Sequence, residues 1–425
     1  MASPPLKLIL SPDRLGPKGD GICQSPEGTI YIERSAPFDK LRVKIFKDLE
    51  GVSRGEILEI LEPSTHRQSP SCPHYSACGN CTLLHLTPQF YREWKTQTVK
   101  EAFLKTGLKP QKWLEPIFLA GYNRRRATFT VLKKRGKIVM GYYRRRSQEI
   151  TEIETCEIAH PKLLKLKKFL NPYLPFLTKE GAPLDLFFQV VGNSIDMVMT
   201  GPIGKTGRPD DAFIKVLQDI LEVSDVARVS WRNESQTQTL IQKDSLTIQF
   251  GSLKVELPPA AFLQPTIEGE KTLVDAVLKA LPSHGTFADL FSGCGTFTGP
   301  MLRQGSVEAF ESDLSAIKNL SKASRGKKLK VYQRDLFKNP IPYKDLNHFD
   351  AIVFNPPRAG CPEQAQEIAR SQCPTLIGIS CNPATFARDA KILCRGGYQL
   401  KSLQVIDQFL GSHHVEVVGV FSKSK

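Results

Sequence analysis

Two stretches carry side chains that could do chemistry: Ile377-Gly378-Ile379-Ser380-Cys381-Asn382-Pro383 near the C-terminal end, and Ser71-Cys72-Pro73-His74-Tyr75-Ser76-Ala77-Cys78-Gly79-Asn80-Cys81. In the first, an apolar run stops at a small polar residue, a cysteine and Asn-Pro, which predicts a buried strand, a turn and a helix opened by Pro383. Cys381 then stands at a strand's carboxyl end, just ahead of a helix N-terminus whose dipole lowers a thiol pKa; it is a candidate nucleophile. Glu416 sits among Val415, Val417 and Val418, the pattern of a late buried strand. Apolar neighbours should raise its carboxyl pKa and suit it to act as a general base.

In the second stretch, three thiols on one glycine-containing loop can hold one face of a metal centre. Cys156, in Thr155-Cys156-Glu157-Ile158-Ala159-His160-Pro161, is the best fourth donor because it follows a basic stretch expected to fold back on this loop; His74 is a lesser candidate. Four thiolates suit tetrahedral zinc or a cubane iron–sulfur cluster alike.

Basic residues are abundant: 58 Lys plus Arg face 43 acidic residues, for a net charge of +15, which favours a polyanionic partner. Two triplets concentrate that charge, Tyr122-Asn123-Arg124-Arg125-Arg126 and Gly141-Tyr142-Tyr143-Arg144-Arg145-Arg146. Guanidinium groups contact phosphates while tyrosines stack on unpaired bases, so the expected partner is folded RNA. No apolar run approaches the roughly 20 residues a spanning helix needs. Met1-Ala2-Ser3-Pro4-Pro5 lacks the basic start and apolar core of a signal peptide, and a cytoplasmic monomer without membrane contact is expected. In that compartment ten cysteines point to metal binding or catalysis rather than disulfides.

The elements that must position these groups fall into three expected domains. Residues 1–69 hold short alternating runs, Gly28–Ile32, Leu41–Phe46 and Gly55–Leu61, which suggest a small barrel of the OB type. Residues 70–254 form a basic middle, with a helix from Arg92 to Lys105 and strands near Ala127–Leu132 and from about Asp185 to Phe250. From 255 to 425 the period changes to alternating strands and helices, which argues a doubly wound parallel sheet of the Rossmann type. There, Thr286–Leu290 runs into Phe291-Ser292-Gly293-Cys294-Gly295-Thr296-Phe297, a strand, glycine turn and helix able to cradle a nucleoside. Glu311 ends the next strand, roughly 20 residues beyond Asp289, where a carboxylate can bind both ribose hydroxyls. Asp335 could reach an adenine edge. No phosphate-binding lysine follows the glycines, so S-adenosylmethionine fits better than ATP. A fourth strand, Ala351–Phe354, ends in Asn355-Pro356-Pro357-Arg358, a turn that amino-methyltransferases also use, with an aromatic residue where Arg358 stands.

Taken together, these residues resemble the RNA (uracil-5)-methyltransferase family, particularly its iron–sulfur-containing 23S ribosomal RNA members. The matches run nearly the length of the chain: the cysteines at 72, 78, 81 and 156, Gly141 to Pro161, Phe262-Leu263-Gln264, Asp289 to Thr298, Arg358-Ala359-Gly360, Ser380-Cys381-Asn382-Pro383 and His414-Val415-Glu416. The resemblance implies a TRAM barrel at the N-terminus and a [4Fe-4S] cluster on the four cysteines. It also implies a helix around residues 92–118 that packs on the C-terminal domain. It implies methyl transfer to uridine C5 through a Cys381 adduct at C6, with Glu416 removing the C5 proton. Gln264, Phe291, Thr296, Glu311, Asp335 and Asn355 are then expected around the methyl donor, and transfer RNA is a second candidate substrate. Asn355 replaces the family's usual Asp, and Thr266 its usual Asn. Two alternatives stand beside this reading: an adenine or guanine amino-methyltransferase, and a catalytically silent iron–sulfur RNA-binding protein.

Overall fold

The computed structural model describes residues 6–25, 28–121, 123–204, 207–233 and 236–423. Tyr122, expected to stack on a base, and Met1–Pro5 lie outside them. The chain divides into two compact units, one of Met1–Lys100, Tyr143–Glu149 and Phe409–His414, the other of Glu101–Tyr142, Ile150–Gln408 and Val415–Lys425. Among the described residues no helix is long and apolar enough to cross a membrane.

In the first unit, six strands line up in the order Lys7–Leu10, Lys40–Lys47, Ser53–Glu62, Gly28–Ile32, Gly21–Ser25 and Arg14–Leu15. Alternation drives it: Leu41 and Val43 are fully buried with Ile30, Ile32 and Cys23, while Lys40 and Arg42 face water. Register shifts against Ser53–Glu62 bend the long pair. The hydrogen-bonded order has two free ends, however, so the expected barrel is a curled, open sheet. At its last position Arg14–Leu15 is two residues long, too short to supply the backbone groups that closure requires.

The second unit holds two larger sheets. One has seven strands, ordered Ile150–Glu152, Lys137–Tyr143, Arg126–Lys134, Pro183–Val191, Ser194–Thr200, Val226–Arg232 and Thr237–Gln242. The stretch from 185 to 250, expected to be all strands, also contains the helix Asp211–Val223. Asp210 caps it by accepting from the Phe213 amide, and Phe213, Leu217, Ile220 and Leu221 recur at helical spacing on its buried face.

The other sheet is ordered Leu329–Gln333, Gly305–Glu311, Gly285–Leu290, Ala351–Phe354, Thr375–Ser380, Glu416–Lys423, Tyr398–Asp407 and Lys112–Trp113, with Ile117–Phe118 also pairing to Tyr398–Asp407. Its first five strands are mutually parallel, so all their carboxyl ends lie along one edge. Later strands add on either side of Gly285–Leu290, which places the topological switch, the usual ligand crevice, beside it. The helix Pro88–Lys105 brings Phe103, fully buried, edge-on against Phe386 of the helix Pro383–Arg395, ring centroids 5.8 Å apart.

Candidate active site

Cys381 follows directly on the strand Thr375–Ser380, and Asn382 caps the next helix by accepting from the Ala384 amide, with Pro383 at its first turn. Glu416 opens the neighbouring antiparallel strand, whose register pairs Ser380 with Val417. Cys381 is the residue just beyond Ser380 and Glu416 the one just before Val417, and the Glu416 carboxylate is near enough to act on the Cys381 thiol. The expected low thiol pKa is not what this geometry gives. Burial and the Glu416 carboxylate push the Cys381 thiol up, and a hydrogen bond and the positive charge of Arg358 oppose them. Desolvation and a like charge outweigh the helix terminus here.

Glu416 is buried, and desolvation raises its carboxyl to about 7. Its Oε1 accepts from Gln408 Nε2 at 3.3 Å, and the same nitrogen donates to Gln264 Oε1 at 2.8 Å. Thr266, the departure from the family pattern, caps the helix Ile267–Ala280 through its Oγ1, which accepts from the Gly269 amide at 2.9 Å.

The expected donor-binding residues lie along the same sheet edge. Phe291 adopts a left-handed backbone, φ 62°, which turns the chain sharply into the glycine loop. Glu311 is held in place: its Oε2 accepts from the Gly293 amide, and its Oε1 from the amides of Ser312 and Asp313 and from the Ser312 hydroxyl. Thr296 is buried in that loop, and Asp335 accepts from the Phe337 and Lys338 amides past the third strand. Asn355, half-buried, donates its amide to Leu290 and so ties two strand ends together. Asp289 was not singled out from the sequence. It is fully buried, its Oδ2 accepts from Thr298, its Oδ1 has no partner, and burial raises its carboxyl to about 7.

The first arginine triplet is spent inside the unit. Arg125 is buried, donating from Nε to Gln264 O and from its backbone amide to Pro265 O, both at 2.8 Å, and it pairs with Glu270. Arg126 donates to Leu263 O at 2.8 Å and lies over the exposed Phe262 ring; burial and its arginine neighbours lower its guanidinium to about 10. Arg124 joins the Ile158–His160 backbone through its own amide and carbonyl. From the same sheet, Gln189 donates to Ala261 O, Arg228 to Leu257 O, and Asp196, in a buried pair with Arg228, accepts from the Ala260 amide. Five carbonyls and one amide between Leu257 and Pro265 are thereby fixed from one sheet.

In the first unit, Arg34 donates to the carbonyls of Ser76 and Cys78, and Gly79 donates to Tyr143 O, which shapes the cysteine loop. Arg144 pairs with Glu149, Arg145 with Asp20 and Glu33, and Arg146 with Glu33. Cys156 is half-buried between Ile150–Glu152 and Pro161–Phe169. Among the described residues no three His, Cys, Asp or Glu side chains are grouped to hold a metal ion, so no chemistry is routed through one.

A glycine turn, a carboxylate and a thiol at one parallel-sheet edge suit an α/β transferase acting with a nucleoside-bearing donor. A tRNA (Uracil-5-)-methyltransferase family model matches residues 318–425. An uncharacterized RNA methyltransferase of Brucella suis is 34% identical over 416 residues, 97% of each chain. The 23S rRNA (uracil(1939)-C(5))-methyltransferase of Bordetella bronchiseptica is 27% identical, over 97% of this chain and 92% of its own. The crystal structure of Pyrococcus abyssi tRNA (uracil-54, C5)-methyltransferase in complex with S-adenosyl-L-homocysteine has a TM-score of 0.74 at 19% identity, covering 97% of this chain and 99% of that one. The chain belongs to the RNA (uracil-5-)-methyltransferase family.

Proposed function

We infer that the protein methylates C5 of a uridine in RNA with S-adenosylmethionine as donor, and that the RNA is 23S ribosomal RNA. The observation that carries the chemistry is the nearness of the Glu416 carboxylate to the Cys381 thiol at the ligand edge of the sheet. The ribosomal target rests on the relative from Bordetella bronchiseptica, whose name specifies 23S rRNA; the Pyrococcus abyssi enzyme, named for tRNA, makes transfer RNA the second candidate.

Uracil C5 is too poor a nucleophile to act unaided. The Cys381 thiolate adds to C6, and the electron pair moves to C5 as an enolate. Arg358 supplies the positive charge that favours the thiolate. When bound, S-adenosylmethionine would supply an electrophilic methyl carbon to C5, its sulfonium C–S bond breaking to leave S-adenosylhomocysteine, and Glu311, Asp335 and the Phe291–Thr296 turn are assigned to hold it. Glu416 then takes the C5 proton, the C6–S bond breaks, and the thiolate returns. A carboxyl near 7 suits that exchange at neutral pH. Asn355 can accept from the base N3–H, so base recognition needs no charge at that position. The amino-methyltransferase reading loses support because Arg358 stands where that reading needs an aromatic ring to stack on the base.

The three-domain division at residues 69 and 254 is supported by the separate sheets, and a TRAM-like role for the first by its curled, basic-edged strands. The [4Fe-4S] assignment to Cys72, Cys78, Cys81 and Cys156 rests on the family resemblance, since thiol chemistry and spacing suit zinc equally, and iron and sulfide analysis tests it. The assigned setting is a cytoplasmic monomer. Nucleoside mass spectrometry of ribosomal and transfer RNA tests the activity: 5-methyluridine should vanish from one 23S site in a deletion strain and return with the wild-type gene but not with Cys381→Ala. An unchanged 5-methyluridine map would overturn the assignment.

A further inference from the structure

Gln408 has no role in the steps above, yet it stands at their centre. It follows the strand Tyr398–Asp407, is 5% exposed, and touches both Glu416 and Gln264 through one nitrogen. Its Oε1 is buried without a partner. Room for this amide comes from the helix Ile267–Ala280, where a Cβ at Gly269 would stand 2.1 Å from Gln408 Oε1. Glycine inside a helix costs roughly 0.5–1 kcal/mol against alanine. The third helical position carries that cost, and the Gln408 amide fills the space it opens.

An ionised carboxylate only accepts hydrogen bonds, so beside Glu416 the Gln408 amide must present its NH₂. The second hydrogen of that NH₂ goes to Gln264 Oε1. With its oxygen so engaged, Gln264 has its own NH₂ left to offer, and among the described residues no protein acceptor takes it.

We propose that Gln408 is a positioning residue that fixes the Gln264 amide with its NH₂ toward the base, so that the pair discriminates uracil from cytosine. A donor there is satisfied by the 4-carbonyl of uracil and meets another donor in the 4-amino group of cytosine. The polarity of the chain is set by the charge on Glu416, so the protonation state that accepts the C5 proton is also the state that reads the base. This inference rests on the C5 methylation proposed above.

Two variants test it, Gln408→Met, which keeps length without polarity, and Gly269→Ala, which keeps every polar group but displaces the Gln408 amide and crowds the Thr266 cap. Each is assayed with target oligoribonucleotides carrying uridine or cytidine, for methyl transfer, competitive binding and the pH dependence of kcat. The Gln408 hydrogen bond lowers the Glu416 carboxyl. Its loss should therefore move the acid limb of the profile to higher pH. The preference for uridine-containing over cytidine-containing RNA should fall roughly 10-fold or more, the worth of a hydrogen bond to a buried polar group, while S-adenosylmethionine affinity holds. An active wild type whose two variants keep its pH limb and base preference overturns the role of Gln408 alone. A wild type that transfers no methyl group to C5 overturns the parent reading and this one with it.

Discussion

The two arginine triplets are nearly the same in sequence and opposite in use. Residues 124–126 lead into a strand, and their guanidinium groups donate to the backbone carbonyls of Arg126, Gln264 and Leu263 and to Glu270. Residues 144–146 end a strand and meet the acidic side chains Glu149, Asp20 and Glu33 at varying exposure, with Arg144 half-open to water. A buried guanidinium needs each donor matched, since removing its partners strands a charge in low dielectric. A surface guanidinium exchanges an ion pair for a phosphate at little cost. The first triplet thus belongs to the scaffold of Gln264, while Arg144 and Arg146 of the second keep part of their surface open to water. Composition alone does not separate the two.

The largest effect expected from this contrast is at Arg125. Arg125→Ala leaves Glu270 unpaired and Gln264 O without its donor, and should cost about 3–5 kcal/mol in a urea melt, with methyl transfer falling in parallel. A loss below about 1 kcal/mol would place Arg125 with the surface pairs and erase the distinction. For Arg144→Ala with Arg146→Ala the order reverses. Stability should move by no more than about 1 kcal/mol, while the salt dependence of RNA binding loses roughly 0.7 in log–log slope per contact removed. An unchanged slope would take the second triplet out of the RNA interface.

Where one residue's chemistry forces one local geometry, the sequence could be read. Asn382-Pro383 allows little besides a cap and a first turn, which put Cys381 at the strand end. The glycine turn after Leu290 and the carboxylate at Glu311 were legible for the same reason. Legibility failed where a property depends on what packs nearby. The thiol of Cys381 rises chiefly because packing buries it, and then because the carboxylate of Glu416, distant in sequence, is brought near. The helix Asp211–Val223 was hidden among strands because the alternation on either side masked its own period, although Asp210 was a usable cap signal. The curled sheet stays open, with a last strand, Arg14–Leu15, only two residues long. Gln408 has no motif of its own; a glycine early in an otherwise good helix was its one trace.

The most direct measurement is a trapping experiment at the sulfur of Cys381. RNA carrying 5-fluorouridine at the target position is incubated with the protein and S-adenosylmethionine, and denatured complexes are digested and sequenced by mass spectrometry. Fluorine at C5 cannot leave as a cation, so Glu416 has no proton to remove and the C6–S bond cannot break. The account predicts a covalent protein–RNA complex whose crosslinked peptide maps to Cys381, absent from Cys381→Ala. Methylated product without any adduct, or an adduct that survives Cys381→Ala, would contradict it.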